Sequence, residues 1–165
     1  MSMKLLTTSL LMVLVLSSCG SSKKVADHSS KSSNHSKNKT VDPIIDHAIS
    51  FEGTPYRFGG TSKKGMDCSG LIYVSYLEGE IQLPRVSRDM AKTGKKIALA
   101  DVREGDLVFF STSKKGGGIN HVGLVVERKG GQIRFIHSTT SRGVIVSSMD
   151  ENYWRKAFVQ ARKVI

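Results

Sequence analysis

The most constraining feature of this chain is a run of short apolar segments crowded into its C-terminal half. Residues 106–111, 121–127, 132–139 and 143–148 are rich in Val, Ile and Phe and are separated by Gly-rich turns such as Gly130-Gly131, the pattern of consecutive strands. Residues 158–164 are a further candidate to close the sheet. The apolar patterns earlier in the chain have a helical period. Asp42 as N-cap, Pro43 at the first helical position and Ile44, Ile45, Ala48 and Ile49 predict a short helix ended by Gly53. A second helix is predicted from Asp67, carrying Leu71, Ile72, Val74, Ser75 and Leu77 before Gly79. A Gly-rich loop spans 54–65, and 81–100 shows no clear period. Helices first and strands later indicate an α+β fold.

Residues 42–165 can build that fold, and the residues before them cannot. From Gly20 to Thr40 the chain is Ser, Lys, Asn and His with one valine and one alanine, too little apolar surface to offset the entropy of ordering. It is read as a flexible tether (19–41), with His28 and His35 as solvated linker residues. Residues 1–18 resemble an export signal: Lys4, an apolar stretch from Leu5 to Leu16, then Ser17 and Ser18. The apolar stretch falls well short of the ~20 residues a membrane-spanning helix needs. Leu16-Ser17-Ser18-Cys19 is similar to the bacterial lipobox, which implies that Cys19 is lipidated through its sulfur and becomes the new N-terminus. Gly20, where an aspartate is associated with inner-membrane retention, favours a cell-envelope location on an outer membrane facing the periplasm.

The formal charge of +11 divides unevenly. Residues 20–40 hold five lysines against one aspartate, so much of the excess lies in the tether. A nucleic-acid partner calls for Lys/Arg clusters interleaved with stacking aromatics; only scattered pairs occur. Attraction to anionic envelope polymers or lipid headgroups accounts for the balance.

With Cys19 assigned to the membrane, Cys68 has no partner for a disulfide and is a free, reactive thiol. In Gly65-Met66-Asp67-Cys68-Ser69-Gly70-Leu71 it falls in the first turn of the second helix, where unpaired N–H groups and the helix dipole favour a thiolate and can stabilise an oxyanion. A proton carrier is also required. His121 opens a predicted strand and is the first candidate. His137, on the face of the next strand shared by Ile133 and Phe135, points inward and can orient the first imidazole. Each has a plainer reading: a small buried cysteine at a helix start, and histidines satisfied within a sheet. Zinc held by Cys and two His is a third reading, without the usual C-x-x-C or H-x-x-x-H spacing; neither a metal nor another cofactor is expected. His47, on the first helix, is read as a boundary residue.

A collinear set of motifs resembles the NlpC/P60 peptidases of the papain-like superfamily. They are Gly53-Thr54-Pro55-Tyr56-Arg57-Phe58-Gly59-Gly60, Asp67-Cys68-Ser69-Gly70, Leu83-Pro84-Arg85, Arg103-Glu104-Gly105-Asp106-Leu107-Val108-Phe109-Phe110, Asn120-His121-Val122-Gly123 and Phe135-Ile136-His137-Ser138. The resemblance implies helices packed on an antiparallel sheet with the nucleophile at a helix N-terminus. It implies Cys68 as nucleophile, His121 as general base and acid, and His137 as its orienting partner. It further implies that Tyr56 helps the oxyanion or substrate and that Asp67 and Ser69 line the substrate groove. Met90 stands where the family pattern leads one to expect glutamine, which puts local loop contacts in doubt. The implied substrate is the stem peptide of peptidoglycan, cut between D-glutamate and the diamino acid. Competing readings are an amidase or acyl-transfer enzyme of the same superfamily, and a non-catalytic wall-binding lipoprotein. The order Cys then His fits unpermuted members, and an intact Cys68, His121 and His137 argue for chemistry.

Overall fold

A six-stranded antiparallel sheet carries the structure, and its two faces are covered by different parts of the chain. The computed structural model describes residues 39–113 and 118–165, within the compact unit Ser36–Ile165. The expected signal, Cys19, His28 and His35 lie outside the described residues.

The chain starts with α1 (Val41–Ile49) and a small hairpin, β1 (Thr61–Ser62) and β2 (Gly65–Met66), followed by α2 (Cys68–Glu78) and a single turn, α3 (Ser87–Met90). Strand β3 (Lys95–Ile97) and a 3-10 turn at Leu99–Asp101 lead to β4 (Leu107–Phe110), β5 (His121–Lys129), β6 (Gln132–Thr139) and β7 (Gly143–Ser148). Helix α4 (Asn152–Ala157) and β8 (Phe158–Lys163) complete the domain. The sheet order is β3-β8-β4-β5-β6-β7, and every pairing is antiparallel.

The alternation expected for 121–127 holds and sets the layers. Val122 and Leu124 join Leu71, Ile72, Tyr76 and Ile44 in a core beneath α1 and α2. Val125 and Phe135 face the other way, packing with Val108, Phe110, Met149 and Trp154. The expected α+β architecture with helices on an antiparallel sheet is therefore observed. Tyr76 is buried and donates its hydroxyl to the Gly105 carbonyl at 2.5 Å, which ties α2 to the turn before β4.

Three local expectations need correction. Thr40, not Asp42, holds the N-cap position of α1, and it makes no side-chain capping bond; Asp42 lies inside the first turn. The helix ends at Ile49 rather than at Gly53, whose positive φ of 82° instead shapes the following turn. The stretch 81–100 is structured: Met90, the departure from the family pattern, is fully buried against the α1/α2 core. An apolar side chain there is explained by its surroundings.

Candidate active site

The N-terminus of α2 is built by Asp67. Its backbone is extended, and its carboxylate accepts from the N–H of Gly70 at 2.6 Å and from the N–H of Gly59 at 2.7 Å. Arg85 grips the same carboxylate with both ends of its guanidinium, at 2.9 and 3.0 Å. It also donates to Ser69 Oγ at 2.9 Å and to the Gly60 carbonyl, and Ser69 Oγ donates to Asp67 at 3.2 Å. Burial pushes the Asp67 carboxyl up, but Arg85 and the two N–H groups outweigh it and hold the group below the usual carboxylate range. The glycine of Asp67-Cys68-Ser69-Gly70 is steric in origin: a Cβ at Gly70 would collide with the Gly60 carbonyl oxygen and crowd Arg85.

The cap consumes the Gly70 N–H, which leaves the N–H groups of Cys68 and Ser69 to act on the Cys68 sulfur, joined by that of Val122 from β5. Burial nevertheless dominates, reinforced by the Asp67 carboxylate, and the thiol is pushed up rather than down. The expected thiolate is thus overturned for the resting site. Desolvation costs a charged sulfur more than the helix end returns.

His121 and His137 meet at 2.9 Å through Nε2 and Nδ1 respectively, with their rings nearly perpendicular. Nε2 of His137 lies 2.9 Å from Ser147 Oγ, giving a continuous chain from Ser147 through His137 to His121. With Nε2 engaged, Nδ1 is the nitrogen of His121 that can serve Cys68. Burial lowers His121 to about 4. His137, fully buried, is lowered further by burial, by the charge of His121 and by Arg142. Both imidazoles are neutral at pH 7. Trp154 of α4 stacks on His121 at 5.5 Å and 18°, and meets His137 edge-on at 4.6 Å.

Cys68 sits between two halves of a groove. One, of about 580 Å³, is lined by His121, Tyr56, Arg142, Glu151 and Trp154 among others. The other, of about 610 Å³, is lined by Asp67, Ser69, Arg85 and Phe58, and shares Tyr56, Cys68 and Asn120 with the first. Burial, then Cys68 and Asp67, raise the Tyr56 phenol, so it stays protonated and can donate. Asp67 and Ser69 do line a cavity, but their polar atoms are spent on the α2 cap. His47 packs edge-on against Phe51 and lines neither half. Among the described residues no group of three or more His, Cys, Asp or Glu side chains is placed to hold a metal ion.

Three participants escaped sequence reasoning. Arg85 was visible only as part of a motif, without a role. Ser147 is opposite Phe135 across the β6–β7 ladder, diagonal to the His137–Ile145 pair, a relation that depends on register. Trp154, the single tryptophan, carried no periodic signal.

The NlpC/P60 family profile matches residues 53–163. The chain belongs to the NlpC/P60 family. It is 39% identical over 123 residues to the murein DD-endopeptidase MepS/murein LD-carboxypeptidase of Escherichia coli K12, covering 74% of this chain and 62% of that protein. To the gamma-D-glutamyl-L-lysine dipeptidyl-peptidase of Bacillus subtilis 168 it is 35% identical, covering 75% of this chain and 41% of that one. The chain thus spans less than two thirds of these curated NlpC/P60 relatives. A solved NLP/P60 family protein similar to lipoprotein, from Staphylococcus aureus Mu50, superposes with a TM-score of 0.67 at 37% identity, covering 78% of this chain and 42% of that one.

Proposed function

We propose that this NlpC/P60 protein is a cysteine endopeptidase that hydrolyses the stem peptides of peptidoglycan. The observation that carries the reading is the hydrogen-bonded chain Ser147–His137–His121, ending in the groove lined by Cys68 at a helix N-terminus. A neutral thiol and a neutral imidazole that line one cavity make a competent resting pair. As substrate binds, the Cys68 proton passes to Nδ1 of His121 and the sulfur attacks the carbonyl carbon, forming a C–S bond. The N–H groups at the α2 end and the Tyr56 hydroxyl are the donors available to the oxyanion. The C–N bond then breaks, and the amine takes the proton from His121. Water, deprotonated by the same imidazole, cleaves the thioester and returns the thiol. His137 holds His121 in the tautomer and orientation that this cycle needs.

The proposed bond is that between D-glutamate and the diamino acid, the type in the name of the B. subtilis relative; the name of the E. coli relative specifies DD and LD bonds. Digesting purified sacculi and identifying the new termini by mass spectrometry distinguishes them. Cys68→Ala should abolish cleavage, and cleavage that survives this substitution would refute the mechanism. The anchor is part of the proposal: lipid on Cys19, in the cell envelope, on an outer membrane facing the periplasm. A fatty-acid label should disappear from Cys19→Ala, and a label that persists rejects lipidation there.

A further inference from the structure

The position of His121 gives the groove a direction. A cysteine peptidase keeps the acyl half of its substrate on the sulfur and returns a proton to the departing amine. That amine must leave beside His121, which lines only the cavity of about 580 Å³. The opposite cavity, of about 610 Å³, therefore receives the acyl half.

The amine side is lined by one permanently cationic and one acidic side chain, Arg142 and Glu151, among hydroxyl and aromatic groups. Both are exposed, and both are anchored through short local bonds. The backbone N–H of Arg142 donates to Thr139 Oγ1 at 3.0 Å, which fixes the β6–β7 turn. One carboxylate oxygen of Glu151 accepts from the Ser148 N–H at 3.0 Å. Among the described residues neither side chain forms an ion pair. An unpaired guanidinium is suited to bidentate capture of a carboxylate, and the second oxygen of Glu151 is suited to an ammonium.

We infer that Arg142 and Glu151 read the side-chain end of the residue on the amine side of the cut bond, and that this residue is a diamino acid carrying a carboxylate as well as an amine. The inference rests on the peptidase reading above. A diaminopimelate-type residue satisfies both charges. A lysine presents an ammonium alone, which Arg142 repels. A cross-linked stem peptide, with its side-chain amine acylated, keeps only the Arg142 contact.

The test uses the full chain in detergent with two peptides, L-Ala-γ-D-Glu-X-D-Ala, where X is meso-diaminopimelate or L-lysine. Wild type should prefer the diaminopimelate peptide by about tenfold or more in kcat/KM, chiefly through KM, the size of one charge-assisted contact. Arg142→Gln should bring the ratio close to one, Arg142→Lys should restore part of it, and Glu151→Gln should raise KM for both peptides while leaving the ratio within about twofold. A ratio unchanged by Arg142→Gln, or a wild-type preference for lysine, overturns the inference. So does an effect of Arg142→Gln confined to the acid limb of the pH profile, since that would assign the guanidinium to tuning His137. If wild type cuts neither peptide, the assignment of the D-glutamyl–diamino acid bond fails, and calorimetry with Cys68→Ala decides the specificity question separately. Tighter binding of the diaminopimelate peptide that Arg142→Gln removes sustains it; equal or absent binding refutes it.

Discussion

Ser147 has one polar atom and spends it on His137 Nε2 at the far end of the histidine chain. Both residues are buried, so losing that bond leaves a buried polar group without its partner. Ser147→Ala should reduce kcat about tenfold, the equivalent of ~1.4 kcal/mol of lost positioning. KM should stay within about twofold and Ser147→Thr should restore most of the rate; a KM effect with intact kcat would mean that Ser147 does not act by positioning the histidines. Cys68 and His121 were nameable from their motifs because nucleophile and base are chemical types with few candidates in this chain. Ser147 was not, since serine is common and only its diagonal placement across β6 and β7 gives it meaning.

At the scale of the element, α2 depends on a cap assembled from three separated pieces of chain: Gly59-Gly60, Asp67 to Gly70, and Arg85. The helix carries no charged residue in its first turn or basic residue in its last, so its start is held by the Asp67 cap and the packing beneath it. Arg85→Met would leave the Asp67 carboxylate with two backbone donors and the Ser69 hydroxyl, but no counter-charge. Because Arg85 is one third exposed, the loss should be about 1–3 kcal/mol in urea unfolding, below the cost of a fully buried pair. Activity should fall further than stability explains, because Cys68 begins this helix; unchanged kcat/KM would separate the cap from the chemistry. The elements missed in the sequence, the β1–β2 hairpin, α3, α4 and β3, have between two and six residues. None is long enough to show a period, and each exists through tertiary contacts: Met90 and Trp154 are buried, and β3 pairs with the last strand. Lys95 and Lys96 face Lys163 and Arg162 across that pairing, which places charge on an outer strand where it discourages further pairing.

For the whole molecule, the two neutral histidines couple folding to pH. In the unfolded chain His121 titrates near the ordinary 6.5, and in the fold it is lowered to about 4; His137 is lowered as well. Between those values the unfolded chain binds more protons, so stability is complete above about 6.5 and declines as pH falls toward 4. Thermal melts should show this decline, and His137→Asn should flatten part of it; a melting temperature constant from pH 7 to 4 would mean that the histidines are not buried neutral. Catalysis should follow the same groups. The acid limb of kcat/KM is expected well below 6.5, because His121 must be unprotonated to accept the thiol proton, and the alkaline limb above the ordinary cysteine range, because burial raises Cys68. A limb at 6.5 would instead indicate an exposed imidazole.

From the sequence alone, periodicity and motif order determined the α+β class, the strands from 106 to 148, the helix bearing Cys68 and the inward face of His137. These depend on neighbours along the chain, where alternation and helical spacing are written directly. The tertiary structure alone decided the protonation state of Cys68, the link of His137 to Ser147, the stacking of Trp154 and the division of the groove at the nucleophile. Each arises where separate elements exclude water from one another, and desolvation is a property of the packed site that no single segment carries.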